Sequence, residues 1–373
     1  MARTAATAAR RRQPVGAKGG ADLTVFFATN RNPVGDPVRP DGFDTALNGD
    51  GAELRFGQAT FAGAESGQFL PKPPVRSALE PFPEDRAGGL LGSTVLFDRL
   101  RALLLSDSGP ARDLFLYVHG FETTFDEALA LTAQIAGNLT AVREGLAETE
   151  RPPPVVPLVF TWPSDGERSP RAYWSDVDDA ERSGHALRRT LQFVSGFLAG
   201  LAEAAARPRL VLAVQSLGHA VLAAALASND FPAGIDVLLS TGADIEADAF
   251  EPHGRFRRLP ELVPRTVVYH CVRDGALQLS QTVRAAWNGL PSGRLRLGQI
   301  GPLHDLPVVT VEAVDVDAVV VGTGDDLFHF YGRLNRTVQA DMLRVLAGLP
   351  SHAIPGRQQI GPRRYALTHA GSV

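Results

Sequence analysis

The chain has one cysteine, Cys271, among its 373 residues. An intramolecular disulfide is therefore excluded, and the composition suits a reducing compartment. Cys271 sits mid-strand among apolar neighbours and reads as a core residue rather than a nucleophile. No run reaches about eighteen uninterrupted apolar residues, so no membrane-spanning helix is expected. Met1 to Gly20 carry Arg10, Arg11 and Arg12 but no apolar segment behind them. A secretory signal is not expected, and the arginines read as a solvated tail. Charge of one sign is also scarce: 37 basic against 41 acidic residues give a net charge of −4, with the basic residues dispersed. Nucleic acid is thus not the expected partner. No metal-binding cluster, Walker loop or G-x-G-x-x-G after a strand is present, so neither a metal nor a nucleotide cofactor is expected. The expectation is a soluble, cytoplasmic protein without membrane insertion. Its oligomeric state is not legible.

What is present is an ordinary globular composition, 44% hydrophobic and 21% charged. Residues 1–21 read as a basic tail and 351–373 as a second, flexible tail. Residues 22–94 read as one strand followed by an irregular extension, dense in Gly, Pro and Asp, wrapped on the core. From 95 to 350 the pattern is regular. Strands at 113–118, 155–161, 209–214, 235–240, 266–272 and 308–321 alternate with helices at 95–105, 125–145, 176–205, 217–228, 275–286 and 335–347. Such alternation predicts an α/β fold with a doubly wound, mainly parallel sheet.

The most informative stretch is Leu210-Val-Leu-Ala-Val-Gln-Ser216-Leu-Gly-His219. An apolar, β-branched run breaks at a serine and passes at once into a helical pattern. Strand, tight turn with serine at its apex, then helix is a nucleophile elbow. It exposes Ser216 Oγ above a parallel sheet and aims the N–H of Leu217 at a developing oxyanion. The motif G-x-S-x-G has its second glycine at Gly218, but Val214 stands where the first would be. A wider elbow or a shifted backbone is expected there.

A serine hydroxyl needs a histidine base, and that histidine needs a carboxylate to fix its tautomer. Two later strands run into an acid at their carboxyl ends, where ligands gather in open α/β sheets. One leads to Asp274 and the other to Asp244. Asp274 is preferred because it follows the second strand after the elbow strand; Asp244 stays as the alternative. The base is read as His329, the histidine with a strand before it and a helix after it. A second oxyanion donor is expected from the turn His119-Gly120-Phe121-Glu122 after the strand at 113–118. There Gly120 lets the backbone approach, and the N–H of Phe121 or Glu122 is available. Thr124 to Glu127 fits a capping box for the helix that follows. Glu122, Trp162, Trp174, Trp287 and Phe328 are weaker candidates for lining a pocket. Arg294 and Arg296 read as a solvated basic loop.

Together these residues resemble the α/β-hydrolase superfamily. More narrowly they resemble a bacterial family within it, the domain of unknown function 900. The resemblance rests on Val25 to Arg31, Tyr117-Val-His-Gly-Phe121 with Phe125 to Ala128, and Phe160-Thr-Trp-Pro-Ser164. It continues through Ser216-Leu-Gly218, Ala243-Asp-Ile245, Arg273 to Leu277 and His329 to Asp341. Members commonly carry A-H-S-M-G at the elbow, where this chain has Val214 and Gln215, and a small polar residue after it, where this chain has His219. The resemblance implies Ser216 as nucleophile, His329 as base and an acid at Asp274 or Asp244, but no particular substrate. The expected activity is serine hydrolysis of an ester, thioester or amide on a small acyl substrate. The alternative is a catalytically degenerate binding or scaffolding module.

Overall fold

In the computed structural model, residues 20–65, 67–105, 111–201, 207–287, 293–304, 309–321 and 328–369 are described, the side chain of Trp287 excepted. The chain opens with β1 (Ala21–Thr29), the pair β2 (Arg31–Gly35) and β3 (Pro40–Leu47), then β4 (Arg55–Glu65) and β5 (Ala78–Pro81). Strands then alternate with helices: α1 (Gly92–Leu104), β6 (Asp113–Val118), α2 (Phe125–Glu144), β7 (Val155–Thr161), α3 (Pro170–Ala199), β8 (Leu210–Gln215), α4 (Gly218–Leu226) and β9 (Val237–Thr241). After these come α5 (Leu259–Leu262), β10 (Thr266–His270), α6 (Gly275–Trp287), α7 (Leu297–Ile300), β11 (Val311–Asp315), α8 (Tyr331–Leu334) and α9 (Arg336–Leu346). The last elements are β12 (Arg357–Gly361) and β13 (Arg364–Leu367).

The strands form one sheet in the order β12-β13-β11-β10-β9-β8-β6-β7-β1-β4-β5, with β2 and β3 paired separately. From β13 to β1 every neighbouring pair is parallel; β4, β5 and β12 are antiparallel additions at the edges. The expected α/β architecture is therefore what the chain adopts. The central strands are buried on both faces, which is why they read as continuous apolar runs rather than alternating ones. Leu212 and Val214 of β8 pack toward α3 and α4, with Leu187, Leu191 and Val221. Val211 and Ala213 of the same strand pack toward α2 and α9, with Leu129, Ala133 and Met342. Helices thus cover both faces, and the carboxyl ends of β6, β8, β9 and β10 lie side by side.

Several boundaries differ from the sequence expectation, each for a local reason. Helix α3 begins at Pro170 rather than near 176, because Ser169 caps it by accepting from the N–H of Ala172 and proline fills its first position. The strand expected over 308–321 is shorter. After Asp315 its side chain accepts from the N–H of Asp317, a local turn that competes with the ladder. The extension expected to be irregular contributes β4 and β5 to the sheet, with Phe56, Ala59 and Phe61 buried. The residues from 351 onward, expected as a flexible tail, instead form the β12–β13 hairpin against β11. Arg357 anchors that hairpin through a two-pronged pair with buried Asp341, both contacts 2.7 Å. Residues 1–19 lie outside the described residues. Among the described residues no helix is long and apolar enough to cross a membrane.

Candidate active site

The turn after β8 has the expected strained serine. Ser216 has φ 53°, the left-handed region that costs a non-glycine residue about 1 kcal/mol. Its N–H donates to the Thr241 carbonyl at 3.1 Å, tying the turn to the end of β9. Its carbonyl accepts from the N–H groups of His219 at 3.1 Å and Asp244 at 3.2 Å, and from His219 Nδ1 at 2.8 Å. The turn forms although Val214 is not small. Val214 points into the α3/α4 face of the core. The close approaches are made elsewhere. A Cβ on Gly218 would lie 2.6 Å from the His119 carbonyl oxygen, and one on Gly184 would lie 2.4 Å from the Ala224 Cβ.

The loop after β6 comes equally close. A Cβ on Gly120 would sit 2.6 Å from Ser216 Cβ and 3.2 Å from Ser216 Oγ, so only glycine fits there. Glu122 is also left-handed, with φ 58°. Its N–H is taken by the Asp176 carboxylate at 3.3 Å, and its side chain pairs with Arg168 at 2.8 Å. The N–H groups of Phe121 and Leu217 have no protein partner among the described residues, which leaves both for an incoming oxygen. Asp176 also accepts from the Ser164 hydroxyl and from the N–H of Asp165. Burial pushes its carboxyl up to about 6.

Arg31, at the start of β2, braces these loops from behind. Its guanidinium donates to the carbonyls of Thr123 at 2.7 Å and Ser164 at 3.3 Å, and to the Thr161 hydroxyl at 3.0 Å. Burial pulls its pKa down to about 10, so it keeps its charge at neutral pH. His119 stacks on Trp162 with ring centroids 5.2 Å apart. Its Nε2 accepts from the Trp162 N–H at 3.2 Å, which leaves Nδ1 as the donor to the Gly120 carbonyl at 2.9 Å. Burial and the nearby Arg31 charge lower its pKa to about 3, so it stays neutral and structural.

The imidazole of His329 lies across the same rim. Its Nδ1 is 2.7 Å from Oδ2 of Asp274, whose Oδ1 accepts from the N–H of Leu277 at 3.0 Å. His329 is 4% exposed, Asp274 0% and Ser216 8%. Burial opposes a charge on His329, but the Asp274 carboxylate outweighs it and raises the pKa above the ordinary histidine value. Gly242, with φ 50°, lets the end of β9 pass the pair: a Cβ there would lie 2.9 Å from His329 Cε1 and 3.4 Å from Asp274 Oδ2. The Tyr331 hydroxyl donates to the Tyr269 carbonyl at 2.9 Å and accepts from the Gly242 N–H at 2.7 Å, fixing the His329 loop to that corner. Thr241 and Gly242 are thus common neighbours of the serine turn and of the imidazole–carboxylate pair. Among the described residues, three of the four left-handed non-glycines are Glu122, Ser216 and Phe328, all in loops that carry the site. Backbone strain of this kind gathers where function over-determines geometry.

Asp244 is engaged elsewhere. It accepts from the Tyr173 hydroxyl at 2.7 Å, the Ser280 hydroxyl at 2.7 Å and Arg296 Nε at 2.8 Å. Burial raises its pKa, but Arg296, Arg284 and the two hydroxyls outweigh that and hold it well below the usual carboxylate range. Arg296 is itself buried and also bonds Glu246 at 3.1 Å, so it is an internal ion-pair partner and not a solvated loop residue. Between the two acids, the geometry brings Asp274 to the histidine and sets Asp244 apart from it.

The weaker pocket candidates divide. Trp162 is fully buried and donates from its indole to the His119 carbonyl at 3.0 Å, so it supports the loop and lines no opening. Trp174 is half-buried beside Tyr173, under the Arg284 guanidinium at 5.7 Å. Phe328 is half-buried beneath Arg273, 4.6 Å from its ring centroid. The side chain of Trp287 lies outside the described residues. Sequence reading missed Arg31, Asp176, Gly242, Tyr331 and the role of Arg296, because each acts across more than fifty positions of chain or through backbone it merely touches. The glycine after β9 was the one local signal available. Among the described residues no group of three or more His, Cys, Asp or Glu side chains is placed to hold a metal ion.

A family model described as alpha/beta hydrolase of unknown function (DUF900) matches residues 101–341, more than half of the chain. No curated protein matches it.

Proposed function

The chain belongs to the family of alpha/beta hydrolases of unknown function (DUF900), and from that premise we propose that it is a serine hydrolase. It acts on an ester, thioester or amide through an acyl-enzyme. The observation that carries this reading is the His329–Asp274 hydrogen bond at 2.7 Å, at the same rim as a left-handed serine. Ser216 Oγ attacks the substrate carbonyl carbon while His329 Nε2 takes its proton. Asp274 holds Nδ1–H, so Nε2 is the free, basic nitrogen, and it stabilises the imidazolium that forms. The N–H groups of Leu217 and Phe121 receive the oxyanion. Collapse breaks the bond to the alcohol, thiol or amine, which takes the proton from His329. Water then repeats the sequence on the acyl-enzyme and releases the acid.

The alternative of a degenerate binding module has two motives, Val214 and the long N-terminal extension. The first motive weakens, because the left-handed turn at Ser216 forms with the valine side chain buried in the α3/α4 face of the core. A fluorophosphonate probe tests the reading. Labelling is expected in the wild type and lost in Ser216→Ala. A folded wild-type protein that takes no label overturns it.

A further inference from the structure

We propose that the cavity lined by Gln215 and His329 receives a short acyl group bearing a hydrogen-bond acceptor, and that Gln215 recognises that acceptor. The inference rests on the serine-hydrolase reading above and adds the substrate class. The cavity, open at its mouth, lies on the α2/α9 face of the sheet and is lined by His329, Gln215 and Thr241. Gln215 and Thr241 are register partners at the ends of β8 and β9. One layer down are Ala213 and its neighbours Tyr117 and Leu239. Phe115, Ile135 of α2 and Met342 of α9 close the base. Two strand residues at about 3.3 Å each give a depth of roughly 7 Å, room for a few carbons and not for a long chain. Ala213 makes that room, since a larger residue there would fill the gap between Tyr117 and Leu239.

The polar content of the cavity is specific. The Tyr117 hydroxyl donates to Gln215 Oε1 at 3.3 Å, so the amide is oriented. Gln215 Nε2 is buried and has no hydrogen-bond partner among the described residues. A buried donor without an acceptor is costly, and a ligand oxygen relieves that cost. The amide nitrogen only donates. It therefore favours a hydroxyl, ketone or ether oxygen on the acyl chain over a plain hydrocarbon. His329 lines the same cavity, so an acyl chain seated there starts beside the reacting bond.

The test compares p-nitrophenyl esters of acetate, butyrate, hydroxybutyrate and octanoate, with fluorophosphonate labelling of Ser216 followed in parallel. The wild type is expected to favour butyrate over octanoate by at least about tenfold in kcat/KM, and hydroxybutyrate over butyrate by several-fold to about tenfold. Gln215→Leu is expected to erase the hydroxyl preference while Ser216 still takes the label. Met342→Ala is expected to move the preference toward octanoate, and Ala213→Val toward acetate. If label is taken up but the hydroxyl preference is absent, or survives Gln215→Leu, a water satisfies the amide; the acyl-pocket assignment then fails while the serine chemistry stands. If chain-length preference is unmoved by both Met342→Ala and Ala213→Val, the assignment fails in the same way. Absence of labelling in every form removes the serine chemistry and this inference together.

Discussion

His329 Nδ1 and Asp274 Oδ2 are 2.7 Å apart although 55 positions of chain separate the two residues. The contact raises the histidine's pKa, so the neutral base is the major form only above the ordinary value of about 6.5. The acid limb of kcat/KM is therefore expected above about 6.5, and Asp274→Asn is expected to move it down and lower kcat by about 10⁴. The same pair gives a stability signature. A histidine whose pKa is raised by folding stabilises fully below its unfolded value of about 6.5, and the contribution fades as pH rises through the folded value. Thermal unfolding is thus expected to show a larger penalty for Asp274→Asn at pH 6 than at pH 9. Equal penalties at both would contradict the ion pair.

Asp244 gives the opposite pattern. Removing it leaves the buried Arg296 guanidinium with Glu246 as its remaining carboxylate, and breaking a buried pair costs about 3–5 kcal/mol. Urea unfolding of Asp244→Ala is expected to show a loss of that size. Asp274→Asn, by contrast, is expected to lose turnover far more than stability. An Asp244 variant with normal stability and no activity would reverse the assignment of the two acids.

Ser216 carries backbone strain that glycine does not feel. Ser216→Gly and Ser216→Ala are both expected to be inactive. The glycine form is expected to unfold about 1 kcal/mol later than the alanine form, because alanine keeps a Cβ at φ 53°. Equal melting curves for the two would argue for a relaxed turn.

Gly120 faces Ser216 across too small a gap for a methyl group. Gly120→Ala is expected to push the loop away and lower kcat by about 10²–10³, the loss typical of one missing oxyanion donor. Gly218→Ala meets the backbone carbonyl oxygens of Val118 and His119, which cannot swing aside, so its main effect is expected in stability, on the order of 1–3 kcal/mol. Paired kinetics and unfolding of the two variants separate these roles.

The local parts of the site were legible because each is set by its own few residues. The elbow at Ser216 and Gly218, the turn at Gly120 and the Thr124–Glu127 capping box all formed as expected from turn and cap chemistry. The choice between Asp274 and Asp244 was not legible locally, since both follow buried strands. What separates them is Arg296, which comes 52 positions after Asp244 and joins it through an isolated bridge from Glu246. The C-terminal hairpin was hidden for a similar reason. Arg357 and Gln358 look like solvated tail residues until Asp341 supplies a buried partner. The start of α3 was readable, as Ser169-Pro170 is a cap followed by a first-turn proline, but the aromatic residues after it drew the boundary too late.

Arg31 lies seventy positions before the family-matched stretch begins, yet its guanidinium clamps the carbonyls behind Gly120 and Trp162. β13 likewise lies beyond that stretch and covers the flank of β11. A fragment trimmed to residues 101–341 would bare the flanks of both β7 and β11, and such raw edges invite aggregation. It would also release the clamp. The smallest piece worth expressing is set by who braces whom in space, and for this protein that is wider than the segment its relatives share.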